Sequence, residues 1–234
     1  MQYAIITGGT QGIGKAIAEK LLAEGFSVAI CARSNDDLQK LENKWDEQYP
    51  SQPVICYQTD LGKKNEVLAF ADTVLNKFPQ IDILVNNAGI FLPGMLADEP
   101  DGQLETLMSV QLFSAYYLTR SVLAGMKKNQ SGHIFNMCST ASLQAYPRGG
   151  SYGITKYALL GFSENLREEL KPFNIKVTSI FPGATNTRSW ADSGVAADRM
   201  MQAGDIADIV WASWSLSKQT CVESIVVRPV KGDI

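Results

Sequence analysis

The chain predicts an α/β fold: a doubly wound parallel sheet of about seven strands with helices on both faces. Short apolar runs alternate with longer amphipathic stretches from end to end, the pattern of βαβ units. The runs are apolar at nearly every position, as strands covered on both faces must be. The 234 residues suffice for one well-filled core, and right-handed crossovers between parallel strands wind it twice.

The elements follow in order. A strand over 3–7 opens on Tyr3-Ala4-Ile5-Ile6, and a helix over 13–25 follows a glycine-rich turn. A strand over 28–32 leads to a helix over 36–48, where Asp36 and Asp37 suit the positive end of the helix dipole. Strands over 54–58 and 82–86 flank a helix over 63–78. One helix over 103–129 precedes a strand over 132–138, and a helix over 151–171 precedes a strand over 175–181. A helix over 205–217 and a strand over 223–228 complete the series. No repeat, low-complexity tract or linker interrupts it, so 1–234 is expected to form one domain. Residues 184–204 show little periodicity and are expected to form a loop beside the carboxyl ends of the strands, placed to act as a lid.

Composition narrows the function. Hydrophobic residues are 45% and charged residues 19%, a globular profile. The net charge of -3 argues against a nucleic-acid partner or an anionic membrane surface, both of which want a basic patch. Cys31, Cys56, Cys138 and Cys221 are scattered, with no metal-ligand spacing, and read as buried thiols. His133, alone of its kind, reads as structural or surface, so no metal site is expected. The first residues lack the basic start and apolar stretch of a signal peptide. No segment approaches the about 20 apolar residues of a membrane span. A cytoplasmic location is the expectation.

The first strand runs into Thr7-Gly8-Gly9-Thr10-Gln11-Gly12-Ile13-Gly14, and a helix opens at once. Glycines at such a turn allow positive φ and let a pyrophosphate approach bare backbone at a helix N-terminus. This points to a Rossmann-like dinucleotide site. The end of the second strand selects the cofactor, because an acid there binds the ribose of NAD and an arginine suits a 2′-phosphate. Here Ala32 stands where the acid is expected, Arg33 follows, and Ser34 and Thr10 add hydroxyls. NADP(H) is therefore preferred, with NAD(H) as the alternative.

Tyr152 and Lys156 lie four apart at the start of a helical segment, which places them on one face. A free tyrosine, with a pKa near ~10, is too weak an acid for neutral-pH catalysis. Bringing it into range takes about 3–4 kcal/mol of electrostatic help, which the Lys156 ammonium and an oxidised nicotinamide are expected to supply. Ser139 ends the preceding strand.

With these residues together, the chain resembles the short-chain dehydrogenase/reductase family, in its single-domain group, over essentially its whole length. Thr7-Gly8-x-x-x-Gly12-x-Gly14 resembles the family's cofactor loop. Asp60-Leu61 matches the pair that contacts adenine, and Asn86-Asn87-Ala88-Gly89 the segment that passes the cofactor ribose. Ser139, Tyr152 and Lys156 fall at the catalytic spacing, and Pro182-Gly183 with Thr185 and Thr187 resembles the segment that positions the nicotinamide carboxamide. The resemblance implies that Tyr152 exchanges a proton with the carbonyl oxygen and Ser139 hydrogen-bonds that oxygen. Lys156 would hold the ribose hydroxyls and lower the tyrosine pKa. One position departs: Gln111 stands where the family carries the asparagine that helps hold a water behind the lysine. The reading adopted is a surviving relay of altered geometry.

The expected activity is carbonyl–alcohol interconversion on a small substrate, with Ile90, Phe91, Leu92, Leu143 and Tyr146 suggesting an apolar pocket. A 3-oxoacyl-thioester reductase acting on an acyl carrier protein is the nearest alternative; Arg148, Arg188 and Arg199 would face that acidic carrier. An epimerase or dehydratase would need a longer substrate domain. A non-catalytic NADP(H)-binding sensor is the remaining class. The resemblance also implies a homodimer or homotetramer, built through helices such as 103–129 and 151–171.

Overall fold

The structure is a computed structural model and describes residues 1–191 and 193–233. In chain order the elements are β1 (Gln2–Thr7), α1 (Gly12–Ala23), β2 (Phe26–Ala32), α2 (Asn35–Gln48), β3 (Val54–Gln58), α3 (Lys64–Lys77) and β4 (Ile83–Asn86). Then come α4 (Gln103–Met108), α5 (Ser114–Asn129), β5 (Gly132–Met137), α6 (Gly150–Leu170), β6 (Ile175–Pro182), α7 (Ala203–Ser215) and β7 (Ser224–Val227). The sheet has seven strands in the order β3-β2-β1-β4-β5-β6-β7, every pair parallel. The order reverses between β1 and β4, and ligands of such sheets bind at the carboxyl ends beside that switch.

Alternation along the strands divides the core into two layers. Ala4 and Ile6 of β1 meet Ile17 and Leu21 of α1, Leu38 and Trp45 of α2, and Ile206 and Val210 of α7. Ile5, between them, faces the other layer, with Phe70 of α3, Leu118 and Val122 of α5, and Leu166 of α6. No helix among the described residues is long and apolar enough to cross a membrane.

Three local features differ from, or refine, the sequence expectation. The helix expected over 103–129 is interrupted by a π-turn at Ser109–Phe113. Its extra residue turns Gln111 inward, where it is buried, and such turns concentrate at functional sites. His133 is wholly buried in β5. Its Nε2 lies 2.7 Å from Thr178 Oγ1. That hydroxyl donates to Val222 O at 2.5 Å, so Nε2 must carry the proton, and Nδ1 has no partner. Residues 184–204 are partly fastened down. Asn186 N–H donates to Met201 O at 2.8 Å and Met201 N–H to Ala184 O at 3.0 Å, with Met200 and Met201 buried. Asp192 of that segment, and Ile234 of the expected 1–234 domain, lie outside the described residues.

Candidate active site

The glycine turn joins β1 to α1 and is held shut from β4. Thr7 Oγ1 accepts from Asn87 N–H and Ala88 N–H, each at 3.0 Å. Asn87 Nδ2 donates to Thr7 O at 2.8 Å. Gly14 has no room for a side chain: a Cβ there would stand 2.3 Å from Gly8 O and 2.4 Å from Asn87 Nδ2. The first bond closing α1 runs from Lys15 N–H to Gln11 O at 3.2 Å, and Gln11 gives no side-chain cap. The amides before Lys15 therefore lack an intrahelical acceptor, and no acidic residue occupies the first turn. This edge suits a phosphate.

At the end of β2 the Arg33 side chain is exposed and in no ion pair among the described residues. Ser34 caps α2, accepting from Asp37 N–H at 3.3 Å. Asp60 Oδ1 accepts from Gly62 N–H at 3.0 Å, which shapes the turn after β3.

The other end of the cleft collects Ser139, Tyr152 and Lys156. Ser139 follows β5 and caps a short 3₁₀ turn, accepting from Ala141 N–H at 3.1 Å. Tyr152 and Lys156 stand one turn apart on α6. Lys156 is buried; its Nζ donates to Met137 O at 2.9 Å and lies 5.7 Å from the Tyr152 ring centroid. Burial pushes the lysine pKa down to about 8. Burial also raises the Tyr152 phenol above its ordinary value, with the Ser139 hydroxyl pulling the other way. Desolvation is the largest influence on the phenol, and the ammonium is turned to the strand-end carbonyl. The Phe91 ring meets Tyr152 edge-on, with centroids 4.9 Å apart at 86°.

Gln111 reaches in from the π-turn. Its Nε2 donates to Ile90 O at 3.3 Å, while Oε1 is buried without a partner and would lie 3.0 Å from a Cβ at Gly89. The amide thus ties the turn to the loop after β4.

Most of the residues read from the sequence border one cleft of about 1020 Å³. Gly8, Thr10, Gln11, Gly12, Ile13, Gly14, Arg33, Ser34, Asp60 and Leu61 line one end. Asn87, Ala88, Gly89, Gln111, Ser139, Tyr152, Lys156, Pro182, Gly183, Thr185 and Thr187 line the rest. Ile90, Phe91, Tyr146, Arg188 and Trp190 join the wall, whereas Leu92 and Leu143 are exposed. Arg148 lines a separate, smaller hollow. Cys138 is buried against Ala115, Leu159 and Phe181. Sequence reading missed the ion-paired Arg228 and Asp233, which line the cleft from the last residues of the chain. It also missed Glu99, which grips the start of α6. Neither carries a local motif; each acquires its place only through long-range folding. Among the described residues no cluster of three His, Cys, Asp or Glu could hold a metal.

The profile of the short chain dehydrogenase family matches residues 2–197. An uncharacterized oxidoreductase of Staphylococcus aureus is 31% identical over 229 residues, 98% of this chain and 97% of its own. Among solved structures, an alcohol dehydrogenase from the archaeon Thermococcus sibiricus, complexed with 5-hydroxy-NADP, superposes with a TM-score of 0.91 at 28% identity, over 98% of this chain and 97% of that one. L-sorbose reductase of Gluconobacter frateurii, complexed with NADPH and L-sorbose, gives 0.89 at 26% identity, over 97% and 94%.

Proposed function

The chain belongs to the short chain dehydrogenase family, oxidoreductases working between CH–OH and C=O, and we propose that it interconverts a small apolar carbonyl compound and its secondary alcohol with NADP(H). One observation carries this reading: Ser139, Tyr152 and Lys156 converge at one end of a cleft whose other end is an uncapped helix N-terminus flanked by Arg33.

The residues fit the dinucleotide. The backbone edge from Gly8 to Gly14, kept bare by the close approach at Gly14, would take the pyrophosphate. Arg33 and Ser34 would take the 2′-phosphate, and Asp60 and Leu61 the adenine. Asn87, Ala88 and Gly89 would pass the ribose, and Pro182, Gly183, Thr185 and Thr187 would hold the carboxamide. Both solved relatives above were complexed with an NADP form, which supports the same preference here. When bound, NADPH supplies the hydride.

Tyr152 gives its phenolic proton to the carbonyl oxygen in reduction and recovers it in oxidation. Ser139 donates to the same oxygen and stabilises the charge that develops there. Lys156 keeps a positive charge beside the phenol and reaches the ribose hydroxyls. Gln111 holds the loop after β4 through Ile90 and keeps the relay behind Lys156 in a changed geometry. Phe91, Ile90, Tyr146 and Trp190 form the apolar wall against the substrate, and the described residues of the 184–204 segment would cover it. A homodimer or homotetramer would bury Phe113, Tyr116, Ile154 and Tyr157, which stand exposed on the 109–129 segment and α6. A cytoplasmic location goes with this reading.

The test is loss of reduced-nicotinamide absorbance across a panel of alkyl and aryl ketones, a keto sugar and a 3-oxoacyl thioester. Turnover strongest on the apolar ketones is expected. Preference for the thioester would select the carrier-protein reductase, and tight NADPH binding without turnover would favour the sensor.

A further inference from the structure

Helix α6 carries Tyr152 and Lys156, yet its N-terminus lacks a cap of its own. The chain enters through Arg148-Gly149-Gly150, and Gly149, at the capping position, has no side chain to offer. Free N–H groups at a helix start need an acceptor. Here it comes from 52 residues away. Glu99 Oε1 accepts from Ser151 N–H at 2.9 Å, and Glu99 Oε2 accepts from the Ser151 hydroxyl. A third stitch runs beside them, from Gly94 N–H to Arg148 O at 3.1 Å.

The backbone is built around this carboxylate. Gly150 has φ +44, and a Cβ there would stand 1.9 Å from Glu99 Oε1 and 2.6 Å from Gly94 O. Only glycine leaves space for the carboxylate to reach Ser151. Both hydrogen bonds to Ser151 hold the Glu99 carboxyl below the usual carboxylate range, and a negative charge at this end also suits the helix dipole.

Two parts of the site depend on the clamp. Tyr152 is the residue after Ser151, so its position follows the first turn of α6. Phe91, whose ring meets Tyr152 at 4.9 Å, lies on the same loop as Glu99. We infer that Glu99 is a positioning residue for the reaction: acting through Ser151, it locks the loop bearing Phe91 to the helix turn bearing Tyr152. This rests on Tyr152 being the proton donor proposed above.

The test compares wild type with Glu99→Ala, Glu99→Gln and Ser151→Ala by two readouts, turnover on the best ketone and hydrogen exchange of the amides of residues 151–154. In Glu99→Ala exchange should rise about tenfold and kcat should fall about tenfold, with NADPH affinity within twofold of wild type. Glu99→Gln retains an acceptor for Ser151 N–H and should recover part of the loss; Ser151→Ala, which keeps its N–H, should lose least. Should Glu99→Ala fail to fold, the Gln and Ser151 variants carry the same comparison. Unchanged exchange would overturn the clamp. Raised exchange with unchanged kcat would reduce Glu99 to a structural cap and overturn the positioning role. Absence of wild-type turnover on every carbonyl would instead count against the proposed reaction, while exchange would still report on the clamp.

Discussion

Lys156 donates to the Met137 carbonyl at 2.9 Å, so the cation one helical turn beyond Tyr152 is held by the end of β5. Burial brings its pKa down to about 8, while the Tyr152 phenol is moved up from its ordinary value by desolvation. The first group to titrate on the alkaline side is therefore the lysine. Its positive charge is lost progressively as pH rises through about 8. The account predicts that kcat/KM for reduction falls as pH rises through that value, since kcat/KM reports the free enzyme. Lys156→Met should lower kcat/KM about 100-fold and abolish that limb. Initial rates across pH check both.

Arg33 should set cofactor choice. A charge-assisted pair with a 2′-phosphate contributes about 1.5–3 kcal/mol, so Arg33→Ala should raise the NADPH KM roughly 10- to 100-fold. NADH kinetics should change less than threefold, about 0.6 kcal/mol. Steady-state comparison of the two cofactors decides; equal effects on both would remove the phosphate role.

His133 should make the protein acid-sensitive. Its pKa falls to about 3 because burial and nearby Lys176 disfavour the charged ring. Between about 3 and the ordinary 6.5 the unfolded chain binds a proton that the folded chain refuses. This contribution to stability is therefore complete above 6.5 and declines as pH falls, by up to about 1.4 kcal/mol per pH unit. His133→Gln can still donate to Thr178 without titrating. Denaturant unfolding across that range should show a shallower slope for the variant.

Gln111 should tolerate shortening better than loss of its amide. Gln111→Met leaves the half-buried Ile90 O without its donor and should lower kcat about tenfold. Gln111→Asn should stay within about threefold of wild type. A manyfold gain in the asparagine variant, measured by the same ketone assay, would mark Gln111 as an impairment.

Much of the fold is legible in the sequence alone. Apolar runs such as Ala4-Ile5-Ile6 announce strands buried on both faces, and Gly8, Gly12 and Gly14 mark the turn between the first strand and helix. These signals are local, and hydrophobic period and turn chemistry record them. The π-turn at Ser109–Phe113 was not readable, because one extra residue barely disturbs the apolar spacing of 103–129. The capping of α6 by Glu99 was invisible for another reason: a Gly-Gly helix start gives no hint of an acceptor 52 residues away. Nor could spacing weigh Lys156 against desolvation at Tyr152, since it fixes neither burial nor the direction of the ammonium.

The central claim is hydride transfer to a carbonyl with Tyr152 as the proton donor, and the measurement closest to it follows the hydride itself. Wild type and Tyr152→Phe are supplied with NADPH deuterated at the transferring C4 position and the best ketone, and the alcohol is examined by mass spectrometry. The account predicts one deuterium on the carbinol carbon from wild type and turnover reduced at least about 1000-fold in Tyr152→Phe, with NADPH binding intact. Alcohol formed without deuterium, or at an undiminished rate by Tyr152→Phe, would contradict it.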